Sequence, residues 1–486
     1  MHPMNQASTH RGGRDLLSGR PRRLAVAGLS VALLTATLAG SAFGEPLLTP
    51  LAANGVCQPT MSTPIQQPTR EQLDAAGLGD IPLAPDSARR DLVAAPFSDS
   101  SLVTNPLFPI SELDSAVLNG HVDGKVFHTE TTLLRFTQII EWTPGQCVRV
   151  LESQYMAFLD GRLQETAIDL YAQADDGSVW YLGESVFDYD ENGLVITTEG
   201  TWHAGAEGPA AMIMPSSPNV GDANRPENIP GTVFEEVVVK KIDQTIVGPS
   251  GPISGVMIGT ETHQDGTLSD KVFAPGYGEF RSTDGGDLEA MALASPIDSL
   301  AGGVPIELMT ITDGADRIFD SQLATAEQWR NAEKVARGIL AAWDAFRGGD
   351  VPPRLIKPTR VALKDLATEI AARDRTGTRA ASIEAAYAGN DLQLRYRSVT
   401  EVDKIRFELW VRQALVDAAV GSIGGVRSDV VTLEWIRDRI AHAIDPVALT
   451  RIDALVGELG TAVVDDDRGA AADAARALRE LMSGLI

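Results

Sequence analysis

Cysteine and aromatic residues are scarce in this 486-residue sequence, which has two cysteines and 6% aromatic residues. Two cysteines are too few for a disulfide-built scaffold, so the fold must rely on an apolar core. The sequence also lacks the G-x-S-x-G, H-E-x-x-H, G-x-x-x-x-G-K-[ST], G-x-G-x-x-G and C-x-x-C motifs. These absences remove the local signatures of several hydrolases, zinc proteases, nucleotide-binding proteins and thiol oxidoreductases.

Basic residues are fewer than acidic residues: 41 Lys and Arg stand against 66 Asp and Glu, which gives a formal net charge of −25. A surface of this sign repels nucleic-acid phosphates and anionic lipid headgroups. We therefore expect neither nucleic acid nor, beyond a signal segment, a membrane as partner. An unknown small ligand or a protein of the cell envelope is the expected partner.

The first 44 residues have the pattern of a secretory signal peptide. Five arginines precede an apolar run from Leu24 to about Leu38, and small residues precede Glu45. Arg22-Arg23 resembles a twin-arginine leader, but the following residues match it loosely, so Sec export is the expectation. An uncleaved anchor is the alternative to cleavage. The sequence thus predicts a secreted or cell-envelope protein, in which Cys57 and Cys147 would form one disulfide.

Composition divides the remaining chain into three segments. Residues 45–104, rich in Pro, Ser, Thr and Gln, are predicted to be an extended arm or linker. Residues 105–304 alternate in polarity between turn signals, which favours an antiparallel β domain. Residues 320–486 contain helix-start signals at Thr325, Ser398 and Asp445, which favour a helical bundle. The predicted fold class is α+β: a curled antiparallel meander or half-barrel followed by an all-α bundle.

Three Asx-Gly pairs sixteen residues apart predict a meander of long hairpins: Asp160-Gly161, Asp176-Gly177 and Asn192-Gly193. These pairs favour two-residue turns, because both turn residues tolerate a positive φ. Such turns fix the register of the strands. Ideal turns would align three carboxylates across three strands, those of Glu152, Asp169 and Glu184.

Directly opposed carboxylates destabilise a sheet unless a cation, a shared proton or a basic residue compensates them. The row is therefore either a polar pocket or simply the solvated face of the sheet. The segment 203–230 is dense in Gly and Pro and is the predicted binding loop, or a lid over the row. The candidate ligand-binding residues are Glu152, Asp169, Tyr171, Glu184 and His203.

The third turn also matches a calcium-loop spacing. Asp188, Asp190, Asn192 and Glu199 supply oxygens at positions 1, 3, 5 and 12, with Gly193 at position 6. Strands rather than helices are predicted on both sides of this loop, unlike in an EF-hand. The alternative is ordinary solvated turn chemistry. Ca²⁺ is the one cofactor that the sequence suggests, and none is required.

Several ordered motifs between about residues 105 and 280 resemble a family of uncharacterised secreted bacterial β-rich proteins. The resemblance implies an exported β-rich domain and places Asp169 and Glu184 inside a family motif, whereas His203 occupies a position that is typically acidic in the family. The helical domain resembles no family. The motifs are Asp169-Leu-Tyr-Ala-Gln173, Val179-Trp-Tyr-Leu-Gly-Glu184, Gly200-Thr-Trp-His-Ala-Gly205, Pro218-Asn-Val-Gly-Asp222 and Phe273-Ala-Pro-Gly-Tyr-Gly278.

Two functions agree with these patterns. The first is a non-catalytic, exported module that binds a ligand or a partner protein on its curved sheet. The alternative is a metal-dependent or acid/base hydrolase that uses the row of Glu152, Asp169 and Glu184. A purely structural role is a third reading.

Overall fold

The computed structural model describes residues 61–94 and 96–486. Within these ranges, fourteen strands form one antiparallel sheet, and eight of the nine α-helices follow it. The predicted α+β architecture of a curled meander followed by a helical bundle is confirmed. The predicted signal peptide, residues 1–44, lies outside the described residues. Cys57 lies outside them too, so its pairing with Cys147 stays a prediction.

The strands follow each other along the chain, and most are paired with their sequence neighbours. Their order across the sheet is β6-β5-β4-β3-β2-β1-β14-β13-β12-β11-β10-β9, and β7 and β8 also pair with β5. The strands are β1 (Ser115–Val122), β2 (Lys125–Thr143), β3 (Gln146–Leu159), β4 (Arg162–Gln173), β5 (Val179–Tyr189), β6 (Val195–Thr197), β7 (Trp202–His203), β8 (Ala211–Met214), β9 (Ala223–Ile229), β10 (Val233–Gly248), β11 (Gly251–His263), β12 (Leu268–Ala274), β13 (Gly278–Asp284) and β14 (Asp287–Ser295).

All three Asx-Gly pairs lie in turns between paired strands, but only the first is a two-residue turn. Asp160 and Gly161 have φ values of 48° and 77°, as a type I′ turn requires. At Gly177 and Gly193 only the glycine has a positive φ. Those two turns are one residue longer, with Ala174 N donating to Ser178 O in the first of them. The extra residue changes the register of the strands that follow.

The sheet curls until its two ends meet without closing. Strand β9, at one end, lies beside β8, which is attached to β5 near the other end. The side chain of Asn224 on β9 bridges the gap, because its Nδ2 donates to the carbonyl oxygens of Met212 and Ile213 at 2.9 and 3.3 Å. The resulting half-barrel has an inner face and an outer face.

The segment before β1 packs against the sheet and fills one end of its interior. Phe108 contacts Tyr171 of β4 and Phe273 of β12, with ring centroids 5.1 and 6.5 Å away. These two strands are far apart in the order of the sheet, so Phe108 spans the interior. Further back, Arg90 N donates to Ala223 O and covers the start of the edge strand β9.

Three helices begin where the sequence signals predicted. Thr325 and Ser398 form capping boxes with Gln328 and Glu401, and Asp445 caps the helix that starts at Pro446. No helix in the described ranges is both long and apolar enough to span a bilayer. The helices are α1 (Arg70–Ala75), α2 (Ile306–Asp320), α3 (Ala326–Phe346), α4 (Pro353–Ala372), α5 (Arg375–Gln393), α6 (Val399–Val420), α7 (Ile423–Ile440), α8 (Pro446–Val464) and α9 (Arg468–Met482).

Helices α5 to α7 cover the outer face of β2 to β5 through a buried ionic network. The Glu130 carboxylate of β2 lies 3.1 Å from Arg406 Nε and accepts from Arg439 Nη1 at 2.5 Å, and all three side chains are fully buried. Burial opposes the charge of Glu130, but the two guanidinium groups hold its pKa well below the usual range. Trp435 also donates to Tyr189 across this junction at 3.0 Å.

Candidate functional site

Two of the three carboxylates in the predicted row are direct neighbours. Asp169 of β4 is the cross-strand partner of Glu184 of β5, as predicted. The predicted pairing is retained because two register shifts cancel each other. The longer turn at Gly177 shifts the register by one residue, and a bulge between Asp169 and Tyr171 shifts it back.

The third carboxylate of the row, Glu152, lies on the opposite face, so the predicted alignment is wrong there. A bulge next to Ala157 shifts the register, and Ser153 rather than Glu152 faces Asp169. Glu152 instead contacts Gln138, and burial together with Asp438 of α7 raises its pKa. A one-residue slip moves a side chain from one face of a sheet to the other.

Tyr171 lies on the same face as Asp169 and Glu184. Its ring stacks on that of Tyr181 with centroids 4.9 Å apart. The hydroxyl of Tyr181 donates to Asp169 Oδ1 at 2.7 Å. Burial raises the pKa of Asp169 to about 7, although this hydrogen bond opposes the shift. Asp169 is thus a buried acid that exchanges its proton near neutral pH.

His203 does not join this group. It pairs with Gly183 on the outer side of β5, where its Nε2 lies 3.4 Å from Ser185 Oγ. Its backbone N–H donates to the carboxylate of Glu207. His203 is therefore part of the local structure at the start of β7, away from Asp169.

The segment 203–230 is not a lid. It contains β8 and β9, and β9 is buried along most of its length. The strand carries Glu227 onto the inner face, opposite Glu184. The Gly and Pro content that suggested a loop reflects the turns around these two short strands. The segment therefore contributes to the acidic group without covering it.

Glu184 and Glu227 form a carboxyl pair across the gap between the ends of the sheet. Their side chains are 1% and 0% exposed. A carboxylate can only accept hydrogen bonds, so contact between these two buried groups favours a proton on at least one of them. Apart from that proton, no donor among the described residues reaches either oxygen of Glu227 or Oε1 of Glu184. Burial raises both pKa values well above the usual range.

The inner face continues into an ion-pair network on β10 to β13. His263 Nδ1 lies 3.2 Å from Glu235, and Lys271 Nζ lies 3.3 Å from Glu261 and 2.9 Å from Glu279. Burial opposes the charged form of His263, but the adjacent carboxylates raise its pKa to about 9. Burial raises the pKa of Glu261 to about 7. This network contains opposite charges, unlike the Glu184–Glu227 pair.

Glu289 of β14 also lies on this face. Its Oε1 accepts from Thr129 at 2.6 Å and from the hydroxyl of Tyr155 at 3.5 Å. Burial raises its pKa to about 7. We call seven carboxyl groups of this face the acidic inner face: Asp169, Glu184, Glu227, Glu235, Glu261, Glu279 and Glu289.

Cations on the acidic inner face are fewer than carboxyls. Within the described part of the chain, Lys271 and His263 are the basic side chains that form ion pairs with these seven groups. Two positive charges leave most of the acids without a counter-charge, so the remainder must hold protons or meet a cation that enters from outside. The surplus lies around Asp169, Glu184 and Glu227, whose pKa values burial raises.

Two groups of side chains within the described ranges bring at least three His, Asp or Glu ligand atoms within 4.8 Å of one another. The first, Glu235, Glu261 and His263, offers two oxygens and one nitrogen, a donor set that suits a divalent transition metal. The second contains His128 and Glu130 together with Asp391. That group belongs to the ionic network under the helices, where arginines already satisfy its charge.

The predicted calcium loop is not one of these groups. Asp190 Oδ1 accepts from the backbone N–H of Asn192 and of Leu194, both at 2.9 Å, and so stabilises its own turn. Asp188 is buried on β5, whereas Glu199 lies in the turn after β6. Asp190 thus takes part in ordinary turn chemistry, and calcium at this loop stays a prediction.

Comparison with known protein families and with curated proteins found no match for this chain. The resemblance to secreted β-rich proteins thus stays a prediction. The geometry of the acidic inner face is the basis for a functional assignment.

Proposed function

We propose that the protein is an exported, non-catalytic binding module whose acidic inner face takes up a small cation. The Glu184–Glu227 pair carries this proposal, because two adjacent buried carboxyls favour a bound proton while three of their oxygens have no donor among the described residues. A cation that displaces the proton would satisfy these oxygens. Electrostatic attraction in a buried site is strong, so a ligand of positive charge is favoured over a neutral or anionic one.

The ion pairs around His263 mark the side from which a cation enters. The His263 side chain is 15% exposed, whereas that of its partner Glu235 is 1% exposed. His263 lies next to the turn at Asp265-Gly266, on the rim opposite the end filled by Phe108. The ligand is either a divalent metal ion or a small ammonium compound, which share the same charge complementarity.

Thermal unfolding in a panel of Ca²⁺, Mn²⁺, Zn²⁺ and spermidine tests this function. At least one cation should raise the Tm of the wild-type protein in a concentration-dependent way, because a ligand that binds the native state stabilises it. The double variant Glu184→Gln/Glu227→Gln keeps side-chain volume and removes the titratable pair, so the shift should be lost. Glu191→Gln, in an exposed turn, is the matched control and should respond like wild type.

The proposal fails if no cation in the panel shifts the Tm, or if the double variant responds as the wild type does. The metals and the polyamine separate the two ligand sources. A shift with one divalent metal alone would assign a metal-binding protein, and a shift with spermidine alone would assign an organic cation.

Acid/base catalysis is the second candidate, and one observation favours it. Asp169 has a pKa raised to about 7 beside the Tyr181 hydroxyl, which suits a general acid or base near neutral pH. Such an enzyme would use Asp169 with Glu184, without Glu152. A panel of chromogenic esters and glycosides should then reveal hydrolysis with a pH–rate limb near 7 that Asp169→Asn abolishes. Absence of turnover across the panel would leave the binding function.

A further inference from the structure

Three arginines surround one phenylalanine of the helical bundle. The guanidinium carbons of Arg379, Arg412 and Arg479 lie 5.7, 5.3 and 5.2 Å from the ring centroid of Phe319, near the end of α2. Arg379 belongs to α5, whereas the other two arginines belong to α6 and α9. Like charges so close together repel each other, so each guanidinium group needs a compensating carboxylate or a bound anion.

Carboxylates compensate two of the three arginines. Arg412 lies 2.7 Å from Glu408 and 2.5 Å from Asp316. Arg479 lies 2.7 Å from the same Glu408 and 2.7 Å from Asp320. Each of these three carboxylates is therefore already engaged by a guanidinium group.

Arg379 is the arginine of this group that has no carboxylate of its own. Within the described part of the chain its guanidinium group forms no ion pair, and its Nε is a buried donor without an acceptor. Asp320, whose charge acts on the pKa of Arg379, is already held by Arg479. The side chain of Arg379 is partly exposed, and its two Nη nitrogens, unlike Nε, are not buried. The donors of these nitrogens are therefore open to a ligand.

A fourth arginine adds positive charge beside Arg379. Arg375 lies four residues earlier on α5, so the two side chains share one face of the helix, and Arg375 is exposed. Burial lowers the pKa of Arg379, and the neighbouring charges of Arg375 and Arg479 lower it further. The folded protein thus supplies too little negative charge at this place.

We propose that Arg379 and Arg375 bind a small oxyanion, a phosphate or carboxylate group, on the surface of the bundle beside Phe319. Two oxygens of either group match the paired N–H donors of a guanidinium group. The ring of Phe319 holds the Arg379 guanidinium in place by a cation–π contact. The net negative charge of the chain does not prevent binding, because salt screens charges beyond about 8 Å at physiological ionic strength. This site does not depend on the cation-binding function of the acidic inner face.

Thermal unfolding at pH 7 in sodium phosphate, sodium malonate and sodium chloride of equal ionic strength tests this site. Phosphate or malonate, unlike chloride, should raise the Tm of the wild-type protein in a saturable way. A rise with phosphate alone would assign a phosphate group, and a rise with malonate alone would assign a carboxylate. Arg379→Gln should need at least about tenfold more oxyanion for the same rise. Arg337→Gln, at an exposed position of α3, is the matched control and should respond as the wild type does.

Stability in chloride separates a binding role of Arg379 from a structural one. Arg379→Gln should then melt at the Tm of the wild type or above it, because the substitution removes a cation that lies beside Arg375 and Arg479 without a carboxylate of its own. If Arg379 only packs on Phe319, the substitution should lower the Tm equally in all three salts. That result, an equal rise with oxyanion in wild type and Arg379→Gln, or no rise in the wild type would each overturn the proposal.

Discussion

Asp169 is the residue whose behaviour most directly reports on the acidic inner face. Its folded-state pKa of about 7 lies above the unfolded value, so the folded protein holds the extra proton between about pH 4 and 7. The stability that this proton contributes is present at low pH and is lost as the pH rises through 7. Each pKa unit corresponds to about 1.4 kcal/mol, so the effect amounts to a few kcal/mol.

Replacement of Asp169 by Asn should remove this part of the pH dependence. Asn Oδ1 can still accept from Tyr181, so the fold should persist. Urea unfolding at pH 4.5 and pH 7.5 should show a smaller loss of stability in Asp169→Asn than in the wild type. Some pH dependence of stability should remain in Asp169→Asn, because the pKa values of Glu261 and Glu289 are also raised to about 7. An equal change of stability with pH in the two proteins would contradict the raised pKa of Asp169.

At the residue scale, local patterns predicted the pairing of Asp169 with Glu184 and missed Glu227, Glu235, Glu261 and Glu289. The first pairing depends on one hairpin, which turn chemistry specifies. The other acids reach the same site through the curl of the whole sheet, which no local pattern encodes. A signal did exist: Glu235, Glu261 and Glu289 lie within strand-like segments, where charged side chains are unusual on a buried face.

At the level of single strands, Gly183 sets the position of Glu184. Its φ is 137°, and a Cβ at this position would lie 2.4 Å from Trp202 O and 2.8 Å from His203 Cα. Gly183→Ala should therefore destabilise the protein by about 1–3 kcal/mol or more, through backbone strain and a backbone clash.

Gly177→Ala is the matched control, because its φ is 89° but a Cβ would meet only Ser216 Cβ at 3.6 Å. Chemical denaturation should rank the variants as wild type, then Gly177→Ala, then Gly183→Ala in falling stability. The reverse order would show that the bulge at Gly183 is not fixed by close packing.

Element boundaries were predictable wherever one residue imposes a conformation. The capping residues Thr325, Ser398 and Asp445 marked three helix starts correctly, because each satisfies N–H groups that a helix leaves free. The positions of bulges were not predictable. A single bulge near Ala157 places Glu152 on the face opposite to the predicted one. Their positions depend on how β3 and β4 bend around the interior, which neither strand encodes alone.

At the scale of the whole molecule, Glu130 holds the helical bundle on the sheet. Glu130→Gln removes one buried carboxylate from the network and leaves Asp391 and Asp403 to neutralise Arg406 and Arg439, which should cost up to about 3–5 kcal/mol. Because the pKa of Glu130 is lowered, its stabilisation is present above about pH 4.3 and is lost as the pH falls through the folded-state value.

Glu289→Gln is the control for this prediction, because Glu289 is equally enclosed but has a raised pKa and already favours its neutral form. Its melting temperature at pH 6 should fall much less than that of Glu130→Gln. Similar losses in the two variants would mean that the bundle is held by apolar packing rather than by the ionic network.

The curl of the sheet is also a property of the whole chain. Strand β1 pairs with β14, and Asn224 joins β9 to β8 across the gap, so distant segments must meet before the acidic inner face exists. Asn224→Ala should weaken the contact between β8 and β9, which we call the seam of the sheet. Amide hydrogen exchange should then accelerate at residues 211–214 while β2 and β3 stay protected; uniform exchange across the sheet would argue against a local seam.

Proton release on cation uptake tests the central account most directly. Calorimetric titration of the protein at pH 7, with the cation that stabilises it, in two buffers of different ionisation enthalpy gives the number of protons released. We expect release of about one proton or more per bound cation, because a cation must displace the proton that burial favours on the Glu184–Glu227 pair. Binding without proton release, or full proton release in the Glu184→Gln/Glu227→Gln variant, would contradict it.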